Sequence, residues 1–350
     1  LSAISAAVST GSRRAAEVRG SFLYGYLSLV VVFLVSIILT FVWTAVAKRL
    51  GVTGRDVHKP GNPEVPEMGG IIILPSLVIG LAALYLIDSH YVVQFGFIVI
   101  VAAFAWALGL VDDLAELSAI PKFVLSILIG LPIFLFVNPF SHPLMVPFLK
   151  PVRLPLVYPF LALGLIAGTA NSFNSYDVVN GSTTFSATII SLAMGGVLFL
   201  RGELGLATVV GMVAAVSLAL FIFNAYPAKV FIGDTGSFAL GGAIAAAAIA
   251  SFNESFLFFA ILPMIVNAAA KFMSLGKIYE HHKAGVKITR ITEDGKIASY
   301  EGNGSISLVR LLVAQKPLSE KQVFMGLAVL VTLSTVLALA ILPFVGVTLW

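Results

Sequence analysis

Residues 204–237 read LGLATVVGMVAAVSLALFIFNAYPAKVFIGDTGS, and the reading of this stretch decides the fold. No charge interrupts Leu204 to Phe223, and a helix rising about 1.5 Å per residue over roughly 20 residues crosses the ~30 Å hydrocarbon core of a bilayer. The run then breaks at Asn224-Ala225-Tyr226-Pro227 and leads into Gly233-Asp234-Thr235-Gly236-Ser237. Gly233 and Gly236 let the backbone come close to a ligand, and Thr235 or Ser237 can cap a following helix whose N-terminus attracts phosphate. Asp234 then stands where a hard oxygen ligand could hold Mg²⁺ against that phosphate. The segment also reads as a plain capped turn.

The rest of the chain repeats this pattern. Of 350 residues, 59% are hydrophobic and 11% charged, with a mean hydropathy of +1.03, which excludes a soluble fold. Apolar spans are expected at 22–47, 69–87, 94–111, 122–137, 156–172, 184–200, 204–223, 236–252, 255–277 and 322–345. Pro132, Pro155 and Pro159 kink or shorten the fourth and fifth. The expected fold is an all-α polytopic membrane protein of about ten transmembrane helices. A tail at 1–21, carrying Arg13, Arg14 and Arg19, precedes a single transmembrane domain at 22–350. No cysteine is present, so disulfides and thiolate chemistry are excluded. The formal charge of +4 points to no nucleic-acid partner, because basic residues in a membrane protein gather in cytoplasmic loops.

Ten alternating spans put the loops 48–68, 112–121, 173–183, 224–235 and 278–321 on one face. Of the 21 Lys and Arg, only Arg13, Arg14, Arg19, Lys150, Arg153 and Arg201 fall on the other, so the rich face is expected to be cytoplasmic. Within the insertion at about 278–321, Lys287 to Thr292 and Lys296 to Tyr300 flank Glu293-Asp294-Gly295, which predicts a small cytoplasmic β-hairpin between the last two spans. Ile306 to Val313 suits a short element on the membrane surface.

The chemistry-bearing residues lie on that face. Asp112 and Asp113 end the third span, where adjacent carboxylates repel each other and call for a cation, and Lys122 follows. Asn171, Asn174, Asp177 and Asn180 crowd one loop, and the three-residue spacing of Asn171 and Asn174 lets both amides share a helix face. Both groups also read as solvated helix ends. Asp56, His58 and Lys59 in the first loop, Pro66-Glu67 before the second span, and His281-His282-Lys283 add polar groups.

Together these motifs resemble the polyprenyl-phosphate N-acetylhexosamine-1-phosphate transferases, and among them the archaeal and eukaryotic dolichyl-phosphate GlcNAc-1-phosphate transferase branch. Pro66-Glu67, Asp112-Asp113, Asn171 with Asn174, Asn180-Gly181 and the run from Tyr226 to Thr235 carry the likeness in family order. His281-His282-Lys283 stands where that branch has a basic-His-basic triplet. The resemblance implies transfer of GlcNAc-1-phosphate from UDP-GlcNAc to dolichyl phosphate in an archaeal plasma membrane or endoplasmic reticulum membrane. It implies Asn174 and Asp234 as ligands of Mg²⁺, with Mn²⁺ as substitute, and Asp112 or Asp113 as candidate base. Lys122, His281, His282 and Lys283 would hold pyrophosphate and sugar, Asn180 would read uracil, and Glu67 would sit near the nucleotide. Asn171 is grouped with the substrate-binding residues, and a homodimer is expected by the same likeness. A bacterial-type undecaprenyl-phosphate transferase is the nearer alternative. A secondary transporter is the alternative of another class, disfavoured because transporters set binding groups near the midplane.

Overall fold

The computed structural model describes residues 2–59, 61–87, 92–274, 289–300 and 306–345. Helix occupies each of the ten expected spans, but not always as one membrane-length rod. Among the described residues, seven stretches are long and apolar enough to cross a bilayer: Gly25–Leu50, Gly69–Leu86, Phe95–Ala115, Ser182–Leu200, Leu204–Asn224, Gly233–Ala250 and Glu320–Phe344. They belong to α1 (Ser2–Leu50), α2 (Ile73–Ile87, after a 3₁₀ turn at Gly69–Ile72), α3 (Val92–Ala115), α7 (Ser182–Leu200), α8 (Leu204–Asn224), α9 (Gly233–Ala250) and α13 (Glu320–Ile341). Helix α1 runs without a break through the expected boundary between tail and domain.

The three remaining spans depart from simple rods for local reasons. The stretch expected at 122–137 divides at Pro132 into α4 (Ala119–Leu128) and α5 (Ile133–Phe136), since proline lacks the N–H that would continue the ladder. At 156–172 stands α6 (Tyr158–Tyr176), whose last turns carry Asn171, Ser172, Asn174 and Ser175 and are too polar for it to count among the seven. The stretch at 255–277 is a pair, α10 (Glu254–Ala260) and α11 (Leu262–Ser274), bent by 60° just before Pro263. Counting that pair as one crossing gives eight among the described residues.

Among the described residues, three two-stranded hairpins interrupt the helices. The expected one pairs β5 (Thr289–Ile291) with β6 (Ile297–Ser299) around a turn in which the Lys296 N–H donates to the Thr292 hydroxyl at 3.0 Å. The other two, β1 (Thr53–Arg55) with β2 (Glu64–Pro66) and β3 (Pro143–Leu144) with β4 (Val152–Arg153), are too short and proline-rich to show alternation in sequence. Helix α12 (Leu308–Leu312) lies in the stretch read as a surface element.

Helix α9 is the axis of the bundle. Its residues from Thr235 to Ile249 are all buried, and α3 and α6 pack along it most extensively. Gly, Ala and Ser dominate it because, in lipid, close backbone approach replaces the hydrophobic drive for association. A Cβ on Gly241 would lie 2.7 Å from Ala170 Cα of α6, so no larger residue fits.

At the bundle end where α9 finishes and α6 begins, a buried polar clamp ties three segments. His142 Nε2 hydrogen-bonds Glu254 Oε1 at 2.9 Å, and the Tyr158 hydroxyl donates to the same oxygen at 2.6 Å. The His142 ring stacks on Phe252 at 4.3 Å and on Tyr158 at 4.7 Å between centroids. The packing account predicts that Gly241→Ala destabilises the detergent-solubilised protein by about 1–3 kcal/mol through overpacking. Gly164→Ala on α6, where an added Cβ meets nothing within 4 Å, should be neutral or stabilising by up to about 1 kcal/mol. Thermal melts of the two variants check this.

Candidate active site

The chain ends of α3, α4, α6 and α9 meet at the other end of the bundle. A helix N-terminus presents N–H groups with no partner in its own helix, and in α9 two of them are satisfied by another helix. Asp113 Oδ1 accepts from the Asp234 N–H at 2.7 Å, and Oδ2 from the Thr235 N–H at 2.9 Å and the Thr235 hydroxyl at 2.5 Å. Residue 233 must be glycine twice over: its φ is +70°, and a Cβ would stand 2.7 Å from Asp113 Oδ2. Asp113 is thus a cap delivered from α3, with both oxygens occupied.

Asp112, one residue earlier, turns the other way. Its Oδ1 accepts from the Leu117 N–H at 2.8 Å, fixing the turn into α4, and its Oδ2 pairs with the Lys122 ammonium. That ammonium also reaches Asp234 Oδ2 at 2.5 Å and lies 5.2 Å from the Phe238 ring centroid. Asp234 Oδ1 accepts from Asn174 Nδ2 at 2.6 Å, and the same amide donates to the Ser237 hydroxyl at 3.1 Å. Asp112, Lys122, Asn174 and Asp234 therefore form one continuous group.

Glu67 joins this face through its backbone. The Phe231 N–H donates to Pro66 O at 2.8 Å, the Gly69 N–H to Phe231 O at 2.7 Å and the Gly70 N–H to Ile232 O at 2.9 Å, which clips the segment to the N-terminal side of α9. Trp43 Nε1 donates to Glu67 O at 2.9 Å. Burial, with added repulsion from Asp113 and Asp234, holds the Glu67 carboxyl above its ordinary pKa.

Two expected members go elsewhere. Asn171, one turn deeper on α6, donates to the Ser126 hydroxyl and to Ala167 O, both at 2.8 Å, so its amide nitrogen fastens α4 to α6. Asn180 donates from its backbone to Glu320 Oε1 at 3.1 Å and from Nδ2 to Asp56 Oδ2 at 3.2 Å. His281, His282 and Lys283 lie outside the described residues.

Asp177, noted in the crowded loop but given no role of its own, is drawn into the same electrostatic group. Burial pushes its carboxyl up to about 7; the Thr183 hydroxyl and Lys271 oppose this, and Asp234 and Asp113 add to it. Lys271 and Asn267 of α11 both donate to Ser175 O, at 2.7 and 2.9 Å, which brings the bent pair to the same loop.

The donor set fits a hard divalent ion. Two carboxylates share the single ammonium of Lys122 in the group, which stands where Asp112 and Asp234 converge, and a third, Asp113, lies beside them as the cap of α9. The first-rank donors are oxygens of Asp234, Asp112 and, with its amide turned, Asn174. Oxygen donors without thiolate or imidazole favour Mg²⁺ or Mn²⁺ over softer metals. A phosphate ligand would be repelled by this excess of negative charge unless a cation neutralised it.

The family match and the polytopic bundle together place the chain among membrane-embedded glycosyltransferases. The chain belongs to glycosyl transferase family 4, whose signature covers residues 95–252, a stretch holding Asp112, Asp113, Lys122, Asn174 and Asp234. It is 31% identical over 269 residues to a protein of Methanocaldococcus jannaschii provisionally named a glycosyltransferase, covering 76% of this chain and 80% of that one. A Saccharolobus solfataricus protein, provisionally named a UDP-N-acetylglucosamine–dolichyl-phosphate N-acetylglucosaminephosphotransferase, is 28% identical over 301 residues, 85% of this chain and 90% of its own. The phospho-N-acetylmuramoyl-pentapeptide-transferase of Streptococcus pneumoniae is 29% identical over 238 residues, 64% of this chain and 73% of its own.

Two measurements test these assignments. Asp113→Ala leaves the α9 N–H groups unpaired and should cost about 1–3 kcal/mol in thermal or denaturant unfolding. For Glu67 the fold raises the pKa, so its favourable contribution is complete below the unfolded-state pKa and is lost as pH rises through the folded one. Glu67→Gln should therefore melt higher than wild type at pH 8 without divalent ions, with the gap shrinking toward pH 4.

Proposed function

We propose that the protein transfers GlcNAc-1-phosphate from UDP-GlcNAc to dolichyl phosphate or another polyprenyl phosphate. UMP is released and GlcNAc-PP-dolichol forms, the opening step of lipid-linked oligosaccharide synthesis for N-glycosylation. The observation that carries the reading is the convergence of Asp112, Lys122, Asn174 and Asp234 at the helix ends, where a lipid-borne phosphate and a water-borne nucleotide sugar can meet. The names of the archaeal relatives support the sugar and the lipid. Because Lys and Arg crowd the loops of this face, we assign it to the cytoplasm, in an archaeal plasma membrane or the endoplasmic reticulum membrane.

In the reaction an oxygen of the acceptor phosphate attacks the phosphorus that bears the sugar. The bond from that phosphorus to the bridging oxygen breaks, and UMP leaves with the electron pair. Such a transfer depends on positioning and charge neutralisation, because charge spreads over the phosphoryl oxygens. Lys122 neutralises part of it. Asp234 and Asn174 would hold Mg²⁺, or Mn²⁺ in its place, which supplies further neutralisation of the diphosphate when bound. With a second pKa of about 6, as for phosphorylated side chains, the lipid phosphate is already largely ionised at neutral pH. A general base is then dispensable, in keeping with Asp113 being fully engaged as a cap. His281, His282 and Lys283 are assigned to pyrophosphate and sugar, Asn180 to uracil and Glu67 to the neighbourhood of the nucleotide.

The Streptococcus relative favours a second reading within the same chemistry, with undecaprenyl phosphate as acceptor and a different UDP-sugar. One assay separates these: exchange of labelled UMP into a panel of UDP-sugars, with each polyprenyl phosphate, with and without Mg²⁺. The proposal expects Mg²⁺-dependent exchange with UDP-GlcNAc. Asp234→Asn should lose about 10²–10³-fold in turnover, the scale of a deleted electrostatic stabiliser, and Asp112→Asn far less. Greater damage from Asp112→Asn at saturating Mg²⁺ and alkaline pH would restore a general base. Solute flux into proteoliposomes without any UDP-sugar would favour a transporter instead.

A further inference from the structure

A second set of titratable side chains closes on itself where the α1–α2 connection, the α6–α7 turn and the first turn of α13 meet. Asp56 is 2% exposed and Glu320 4%. Asp56 Oδ2 accepts from Lys59 Nζ at 2.5 Å and from Asn180 Nδ2 at 3.2 Å, while Oδ1 accepts from the His58 backbone N–H at 3.3 Å. Glu320 Oε1 accepts from the Asn180 N–H, but Glu320 Oε2 is buried with no partner. One ligand atom from each of Asp56, His58 and Glu320 lies within 4.8 Å of the other two.

The group carries two carboxylates and the single ammonium of Lys59. A buried carboxylate oxygen without a hydrogen bond is costly, and the nearby Lys59 ammonium is already paired with Asp56, so Glu320 Oε2 calls for a proton or a cation. The third corner argues for the cation. Among the described residues no hydrogen bond or ion pair joins the His58 ring to either carboxylate, although all three stand within 4.8 Å. That spacing exceeds a hydrogen bond, yet one ion with bonds of about 2.0–2.2 Å could bridge it after a contraction of roughly 1–1.5 Å.

We propose that Asp56, His58 and Glu320 form a second divalent-cation site, separate from the oxygen ligands around Asp234, that takes a borderline transition ion, Zn²⁺ foremost. One imidazole nitrogen with two carboxylate oxygens is a three-ligand set of the kind Zn²⁺ adopts with a fourth position open. Mg²⁺ gives up water reluctantly and prefers oxygen. Lys59 need not be expelled, because its ammonium also lies 5.1 Å from the Tyr226 ring centroid, where cation–π attraction can hold it. Since Asn180 bonds to both carboxylates, the ion would lock the α6–α7 turn to the first loop and to α13.

The test uses the full chain in detergent, stripped with a chelator, reloaded with Zn²⁺ alone and passed through gel filtration. Metal content and melting temperature are then measured for wild type, His58→Ala, Glu320→Gln and Asp234→Asn. The expected result is about one retained Zn²⁺ per chain and a Zn²⁺-dependent rise in melting temperature for wild type and Asp234→Asn, both lost in His58→Ala and Glu320→Gln. Melts with chelator show whether each variant folds. If Glu320→Gln does not, His58→Ala decides alone, since it removes a partly exposed side chain. Replacement by Co²⁺ adds a visible absorption band that should vanish in His58→Ala. No retained metal in wild type, or equal retention in wild type and His58→Ala, overturns the proposal and leaves a hydrogen-bonded cluster with a protonated Glu320.

Discussion

The structure depends on a carboxylate from one helix serving as the N-terminal cap of another. Asp113 takes two backbone N–H groups and one hydroxyl at the start of α9, and this joins the end of α3 to the axis of the bundle. Everything chemical is referred to that junction. Asp112 faces Lys122 because Asp113 is committed elsewhere, and Asp234 faces Lys122 and Asn174 because its own N–H is held from below. A peptide dipole and a full negative charge reinforce each other there, and the low dielectric of the surroundings strengthens both.

Charge then governs what the site can accept. Asp112 and Asp234 share one ammonium, with Asp113 beside them as a cap and with Glu67 and Asp177 both held above the ordinary carboxylate range. A centre of this kind stores repulsion that a bound cation relieves, and it would reject an unaccompanied diphosphate. The position at the ends of α3, α6 and α9 limits the desolvation cost, since a buried carboxylate at the bilayer midplane would be far more expensive.

Much of this was legible in the sequence, for an identifiable reason. In a chain so apolar, Asp112, Asp113, Asn174 and Asp234 stand out because lipid tolerates few such residues without a task. Their partners were not legible: Asp113 and the Asp234 N–H are 121 positions apart, and nothing local says that one caps the other. Asn171 looked equivalent to Asn174 because spacing gives a shared face but not depth, and one turn deeper the available partner is Ser126. Pro132 announced the break in the fourth span, whereas the 60° bend before Pro263 hid inside a continuous apolar run. Glu320 carried no signal, because an acid in the first turn of a helix is ordinary until the α1–α2 connection and the α6–α7 turn close over it.

The far-end clamp of His142, Glu254, Tyr158 and Phe252 has a mechanical consequence. With α6 and α9 fastened at that end by Glu254 and at this one by Asp113 and Asn174, neither helix can slide along its length like a piston. Relative movement within this frame is then left to elements whose axes are broken midway, such as the jointed α10–α11 pair with its 60° bend.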